Sequence, residues 1–205
     1  KLVAYNREHK TWTGYLDGEM VSVTSTGMGG PSAAICLEEL IHAGAETFIR
    51  VGTCGRICEE SYKKKYEGVV ITGAIRHEGT TVQYIPIEYP AIADRHVTEA
   101  LVQSAREQGF CFAEGVAQCK DSFYGQHDPD SMPNGFMLKS YWEAWEKAGV
   151  MASEMESATV FIVSAIRGKR AGALMAYEHM NENTIKTAIG AIKKLIKADK
   201  AQSGK

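Results

Sequence analysis

The run GVVITGA at residues 68–74 offers no polar face. A half-exposed strand alternates apolar and polar side chains, whereas an unbroken apolar run suits a strand covered on both sides. Residues 46–53 (ETFIRVGT), 111–119 (CFAEGVAQC) and 170–176 (RAGALMA) also read as strands. Helical patterns separate them. Gly27, Gly29 and Gly30 form a flexible turn, Pro31 suits the first turn of a helix, and Ala34, Leu37 and Ile41 follow at helical spacing until Gly44 stops it. Residues 92–109 form an amphipathic helix ending at Gly109, residues 138–148 a second, and a third runs from Ser157 to about Arg167. A closing helix over 182–198 carries lysines on its solvent side. Three short strands, Leu2–Tyr5, Trp12–Leu16 and Met20–Thr24, come first, with Asp17 and Gly18 as a hairpin turn. Strands alternating with helices predict an α/β fold with a mixed or largely parallel central sheet in one domain.

The composition narrows the function class. The chain has 205 residues, 23% charged and 44% hydrophobic, and a formal net charge of −2. That balance belongs to a globular protein and gives no reason to expect a nucleic-acid or anionic-membrane partner. No apolar run approaches the roughly 18 residues that span a bilayer. The five cysteines, Cys36, Cys54, Cys58, Cys111 and Cys119, form no C-x-x-C pair, and the six histidines miss zinc-ligand spacing. Reduced thiols, no metal and a cytoplasmic location are the expectation.

Four segments carry chemistry. In STGMGGPS (25–32), unpaired backbone N–H groups precede a helix N-terminus and could cradle an anion, although a tight packing turn would use the same residues. FIRVGTCG (48–55) gathers Arg50, Thr53 and the exposed amides of Gly52 and Gly55 at a strand's carboxyl end, where α/β sheets bind oxyanions. In QCKDSFYGQHDPD (118–130), Phe123 and Tyr124 offer stacking faces, Gln126 offers a paired donor and acceptor, and Lys120 and His127 add donors. A planar heterocycle suits that mixture, and so does an aromatic surface loop. In ASEMESATVF (152–161), Glu154, Met155 and Glu156 cannot share one helical face. A carboxylate there could hold sugar hydroxyls, or Ser153 and Glu156 could form a capping box.

In this order the segments STGMGGPS, FIRVGTCG, YIPIEYPAIAD (84–94), DSFYGQ (121–126) and EMESA (154–158) resemble the nucleoside phosphorylase-I family, in its uridine-cleaving branch, from about Arg7 to Arg170. The resemblance implies a three-layer α/β/α domain with a mixed central sheet. It implies reversible phosphorolysis of uridine to uracil and ribose 1-phosphate in pyrimidine salvage, with phosphate as co-substrate and no cofactor. Arg50, Thr53 and the turn at Gly27 and Gly29 would bind phosphate, with Arg7 reaching the neighbouring subunit's site. Glu156 would hold the ribose hydroxyls, Met155 would pack on the sugar and Glu154 would face the base. Phe123 would lie against the nucleoside, Gln126 would read the uracil edge, and Cys54 and Gly55 would line the base side. The implied assembly is a hexamer of dimers with shared active sites.

The chain departs from the family at several points. His127 and Asp128 follow Gln126 where an arginine stands two residues beyond the glutamine, so His127, aided by Lys120, is expected to stabilise the uracil oxygen. Cys54 replaces a common threonine. The family's N-terminal strand and glycine–aspartate–proline phosphate loop have no match within residues 1–205, which read as one domain without them. Against the uridine reading stand a purine nucleoside phosphorylase, a nucleosidase using water, and a non-catalytic nucleoside-binding protein. Gln126 argues against the purine enzyme, and Arg50 with Arg7 against the nucleosidase.

Overall fold

The structure is a computed structural model and describes residues 1–63 and 65–203, the side chain of Ser203 excepted. Three strands, β1 (Leu2–Asn6), β2 (His9–Leu16) and β3 (Glu19–Thr24), form an antiparallel meander of their own. Asp17 and Gly18, both at positive φ (51° and 85°), make the two-residue turn that matches strand twist. Leu2, Trp12 and Val23 lie side by side on one face of this meander and are exposed.

The remaining chain alternates as the apolar runs require. It proceeds through α1 (Gly30–His42), β4 (Thr47–Arg56), α2 (Glu59–Lys63), β5 (Gly68–His77), β6 (Ala91–Ile92), α3 (Arg95–Glu107) and β7 (Phe112–Lys120). It then continues through α4 (Phe123–His127), α5 (Gly135–Lys147), β8 (Ala152–Glu154), α6 (Ser157–Ile166), β9 (Arg170–Tyr177) and α7 (Glu182–Ser203). The six strands β4–β9 order as β6-β5-β7-β8-β4-β9. β4 runs parallel to β9, and β5, β7 and β8 run parallel to one another in the opposite sense, so the sheet is mixed.

The sheet also closes on itself, because β5 pairs antiparallel with β9 over Gly68–Ile71. Closure depends on Gly68. A Cβ there would lie 2.0 Å from the Met175 carbonyl oxygen and 2.8 Å from the Phe112 ring. Helix α6 explains the centre of the core: it is apolar on all sides and buried from Ser157 to Ser164. Phe161 and Ile162 pack there with Val69, Ile71 and Met175 from the sheet. Helix α3 starts where Asp94 accepts a hydrogen bond from Val97 N at 3.0 Å and packs with α7 over Leu101, Leu174 and Leu195.

Some expectations shift. The helix expected over 92–109 begins at Arg95, because Ala91 and Ile92 pair with β5 as an edge strand. The first strands form a separate sheet. The aromatic segment 123–127 is a short helix, capped where Ser122 Oγ accepts from Gly125 N at 3.0 Å. Residues 152–154, where a capping box at Ser153 was one reading, form a strand.

Candidate active site

Strand β8 has three residues, yet it joins the two halves of the site. Ser153 stands opposite Gly55 of β4 on one side and Gln118 of β7 on the other. The carboxyl ends of β4 and β7 therefore meet at β8, and the chain turns sharply through Met155 and Glu156 into α6. That corner lets Glu154 and Glu156, two residues apart, reach the same neighbour. Met155 is half-buried, while Glu154 and Glu156 are buried and point to one arginine.

Arg50 is clamped. Its Nε donates to Glu154 Oε2 at 3.0 Å, and its Nη2 lies 2.5 Å from Glu156 Oε2. Burial works against the guanidinium charge, but the two carboxylates outweigh it and hold the pKa above the ordinary arginine value. Gly52 makes room for this fold-back, since a Cβ there would lie 3.2 Å from the Arg50 guanidinium.

The glycine turn meets the same carboxylate. Gly29 precedes α1 with φ 86°, a conformation suited to glycine, and its N–H donates to Glu156 Oε1 at 2.5 Å. Glu156 thus occupies two of the donors that the resemblance assigns to an anion, Gly29 N–H and Arg50. Beside the turn, Ser32 Oγ lies 2.8 Å from Glu8 Oε1 and 2.7 Å from the Thr26 carbonyl, two acceptors for its one proton. This docks the β1–β2 hairpin, whose tip holds Arg7 exposed with φ 52°.

Two assignments need correction. Ser153 is no helix cap: it lies within β8, and its hydroxyl engages other side chains. Glu154 caps α6 instead, accepting from Glu156 N at 2.9 Å and from Ser157 N at 2.9 and 3.1 Å. Glu154 also does not face a base. Its side chain is fully buried and spends its acceptors on Arg50 and the helix N-terminus. Cys54 differs as well: it is buried, its Sγ donates to the Ala176 carbonyl at 3.6 Å, and burial pushes its pKa up to about 12. Such a thiol is an inert packing group. Thr53 is exposed and Gly55 half-buried on the same strand end.

Across β8 lies the base-side group. Lys120 is buried, and its Nζ donates to Ser153 Oγ at 2.6 Å. Ser153 Oγ stands 2.6 Å from Gln118 Oε1 and 2.9 Å from Gln126 Oε1. Lys120 therefore engages the protein interior. The exposed Phe123 ring sits 4.3 Å from the His127 ring, and partial burial together with the Lys120 charge lowers the His127 pKa. A neutral imidazole on an exposed aromatic face can donate one hydrogen bond. Gln118 had no assigned role, and Ser153 none beyond the capping box. A fully buried glutamine two residues before a buried lysine on β7 is what marks Gln118.

The arrangement offers a glycine turn and an arginine for an anion, a carboxylate at a corner, and an aromatic face with an amide beside it. Residues 1–199 match the family described as the phosphorylase superfamily. The chain is 45% identical to a uridine phosphorylase from Treponema pallidum (strain Nichols), over 96% of this chain and 81% of that protein. It is 41% identical to a uridine phosphorylase from Klebsiella aerogenes, over 83% of this chain and 68% of that protein. It is also 39% identical to a guanosine phosphorylase from Halorubrum lacusprofundi (strain ATCC 49239 / DSM 5036 / JCM 8891 / ACAM 34), over 85% of this chain and 67% of that protein. With its mixed α/β core and the ordered motifs around β8, the chain belongs to the phosphorylase superfamily and has the nucleoside phosphorylase-I fold.

Proposed function

We propose that the protein is a uridine phosphorylase, cleaving uridine with phosphate to uracil and ribose 1-phosphate, reversibly, as a cytoplasmic enzyme of pyrimidine salvage. The observation that carries this reading is the Gly29–Glu156–Arg50 bridge: an anion cradle and a sugar-binding carboxylate share one contact. Phosphate would take the Gly29 N–H and Arg50 once Glu156 swings to the ribose hydroxyls. As the glycosidic bond stretches, positive charge grows on the ribose between phosphate and Glu156, while uracil gathers negative charge. Gln126 and the N–H of His127 lie on the base side to receive it, with Phe123 against the ring. Each preorganised donor of this kind contributes about 10²–10³ in rate. Phosphate is the co-substrate, and the chemistry calls for no metal or organic cofactor.

The assembly in this reading is a homo-oligomer, a hexamer of dimers, in which Arg7 completes a neighbour's phosphate site. Its support is the exposed hairpin carrying Arg7 and the apolar face of Leu2, Trp12 and Val23 beside it. No described helix is long and apolar enough to cross a membrane.

The test is uracil release from uridine with and without phosphate, run beside guanosine. Phosphate-dependent release from uridine is expected. The guanosine-cleaving relative gives the competing reading its footing, and cleavage of guanosine alone would make this a purine enzyme. Release without phosphate would make it a nucleosidase, and no release at all a binding protein.

A further inference from the structure

We propose that Glu156 reads the ribose 2′-hydroxyl and turns it into phosphate affinity; this rests on the uridine reading above. With 2′-deoxyuridine, Arg50 stays held and phosphate binds poorly. Two buried carboxylates hold Arg50, and only one of them can leave. Glu154 accepts from Arg50 Nε and also from the N–H groups of Glu156 and Ser157 at 2.9 Å, so its departure would unmake the start of α6. Among the described residues, the Glu156 side chain caps no N–H of α6, and only its backbone carbonyl, accepting from Val160 N at 2.9 Å, belongs to the helix. Its carboxylate can swing while the corner stays in place.

What the carboxylate gives up sets what it must receive. Oε1 holds the Gly29 N–H and Oε2 holds Arg50 Nη2, each at 2.5 Å, and the residue is 5% exposed. At that depth water does not replace a lost partner, so a charged carboxylate needs a new donor for each old one.

A ribose brings two. Its 2′- and 3′-hydroxyls lie side by side on the ring face away from the base, and one carboxylate can accept from both. The exchange is donor for donor, and it frees Gly29 N–H and Arg50 together. A 2′-deoxyribose brings one hydroxyl on that face, since the 5′-hydroxyl stands on the other. One carboxylate oxygen then has only an old partner to return to. Of the two, the charged guanidinium is the stronger, so Glu156 stays on Arg50 and competes with phosphate there. The missing hydroxyl is felt by the second substrate as well as by the nucleoside.

The experiment measures the phosphate KM of the wild-type protein with saturating uridine, 2′-deoxyuridine or the arabinose epimer of uridine, whose 2′-hydroxyl points to the base side. The expected result is a phosphate KM about tenfold to a hundredfold higher with the last two, the worth of one hydrogen bond to a charged group, and a smaller change in kcat. Glu156→Gln separates this from a direct bond between the 2′-hydroxyl and phosphate, because its amide lacks the charge that holds Arg50. Phosphate is titrated by calorimetry beside a carbon-linked, uncleavable uridine analogue or its 2′-deoxy form. The two affinities should differ in the wild type and agree in the variant. Where 2′-deoxyuridine turns over too slowly to assay, the wild-type titration decides. Equal phosphate affinity with and without the 2′-hydroxyl overturns the proposal. So does a difference that survives in Glu156→Gln, or a penalty confined to the KM of the nucleoside. Failure of the wild-type protein to cleave uridine with phosphate would instead remove the function on which the proposal rests.

Discussion

Glu156→Gln separates the resting role of this carboxylate from its role in turnover. In the structure Glu156 holds Gly29 N–H through one oxygen and Arg50 through the other, each at 2.5 Å. In the proposed reaction phosphate takes both of these donors, which makes Glu156 an internal competitor. A hydrogen bond to a charged group contributes about 1.5–3 kcal/mol. The amide keeps an acceptor for Gly29 but loses the charge that attracts Arg50. Removing roughly one such interaction should tighten phosphate binding to the nucleoside-free protein by about tenfold to a hundredfold. Turnover should move the other way, falling about 10²–10³, because the charge beside the ribose is gone. The assay is calorimetric titration of phosphate into both proteins at one low ionic strength, since screening would shrink the difference. The fold should survive, because α6 is capped by Glu154 and not by Glu156. If phosphate binds the variant no better than the wild type, Glu156 is not the occupant of the anion site and the reasoning fails.

Gly68→Ala should destabilise the protein by about 1–3 kcal/mol, because a methyl group would collide with the Met175 carbonyl where β5 closes on β9. Urea unfolding would show it, and an unchanged midpoint would mean the closure is loose. His77 predicts a pH effect. Burial lowers its pKa, with Asp121 opposing weakly, so the fold binds fewer protons than the unfolded chain near and below the ordinary value of 6.5. This contribution to stability is present in full above that value and lost as pH falls through and below it. His77→Phe, which keeps a ring against Tyr141 and Trp145, should flatten the stability profile between about pH 5 and about 7. His127 would leave a residual slope of the same sign. An unaltered profile would mean that His77 titrates alike in both states.

The elements readable in advance are those whose determinants are local. GVVITGA announces a strand covered on both sides by its own composition, and Gly109 marks the end of α3 by its own chemistry. β8 was not readable, because nothing within Ala152–Glu154 distinguishes a strand from a helix entry. Ser153 and Glu154 are satisfied by Lys120 and Arg50, 33 and 104 residues away in sequence. Those contacts decide that the serine faces the interior and not the helix N-terminus. Sheet closure at Gly68 is equally non-local: the glycine is visible, but the carbonyl it accommodates belongs to Met175. Among site residues, Arg50, Glu156 and Gly29 were recognisable as types suited to an anion and a sugar. That they bind one another follows only from the fold.

This mutual binding bears on the assembly. Around Arg50 stand two buried carboxylates, and Lys120 is a second cation on which both of them act. Two positive charges against two negative ones leave nothing for a phosphate dianion, and Lys120 is turned toward Ser153. A site meant for phosphate must gain positive charge or move a carboxylate away. The ribose hydroxyls can draw Glu156 off Arg50, and in the proposed assembly Arg7 from a neighbour supplies the second arginine. Both changes act on the same anion, so nucleoside and phosphate should each tighten the other's binding, and that coupling should weaken in Arg7→Ala. Phosphate titrations with and without a carbon-linked, uncleavable nucleoside would measure it. Equal phosphate affinity in both, with Arg7 present, would mean that the charge balance of the single chain already suffices and that the subunits do not share their sites.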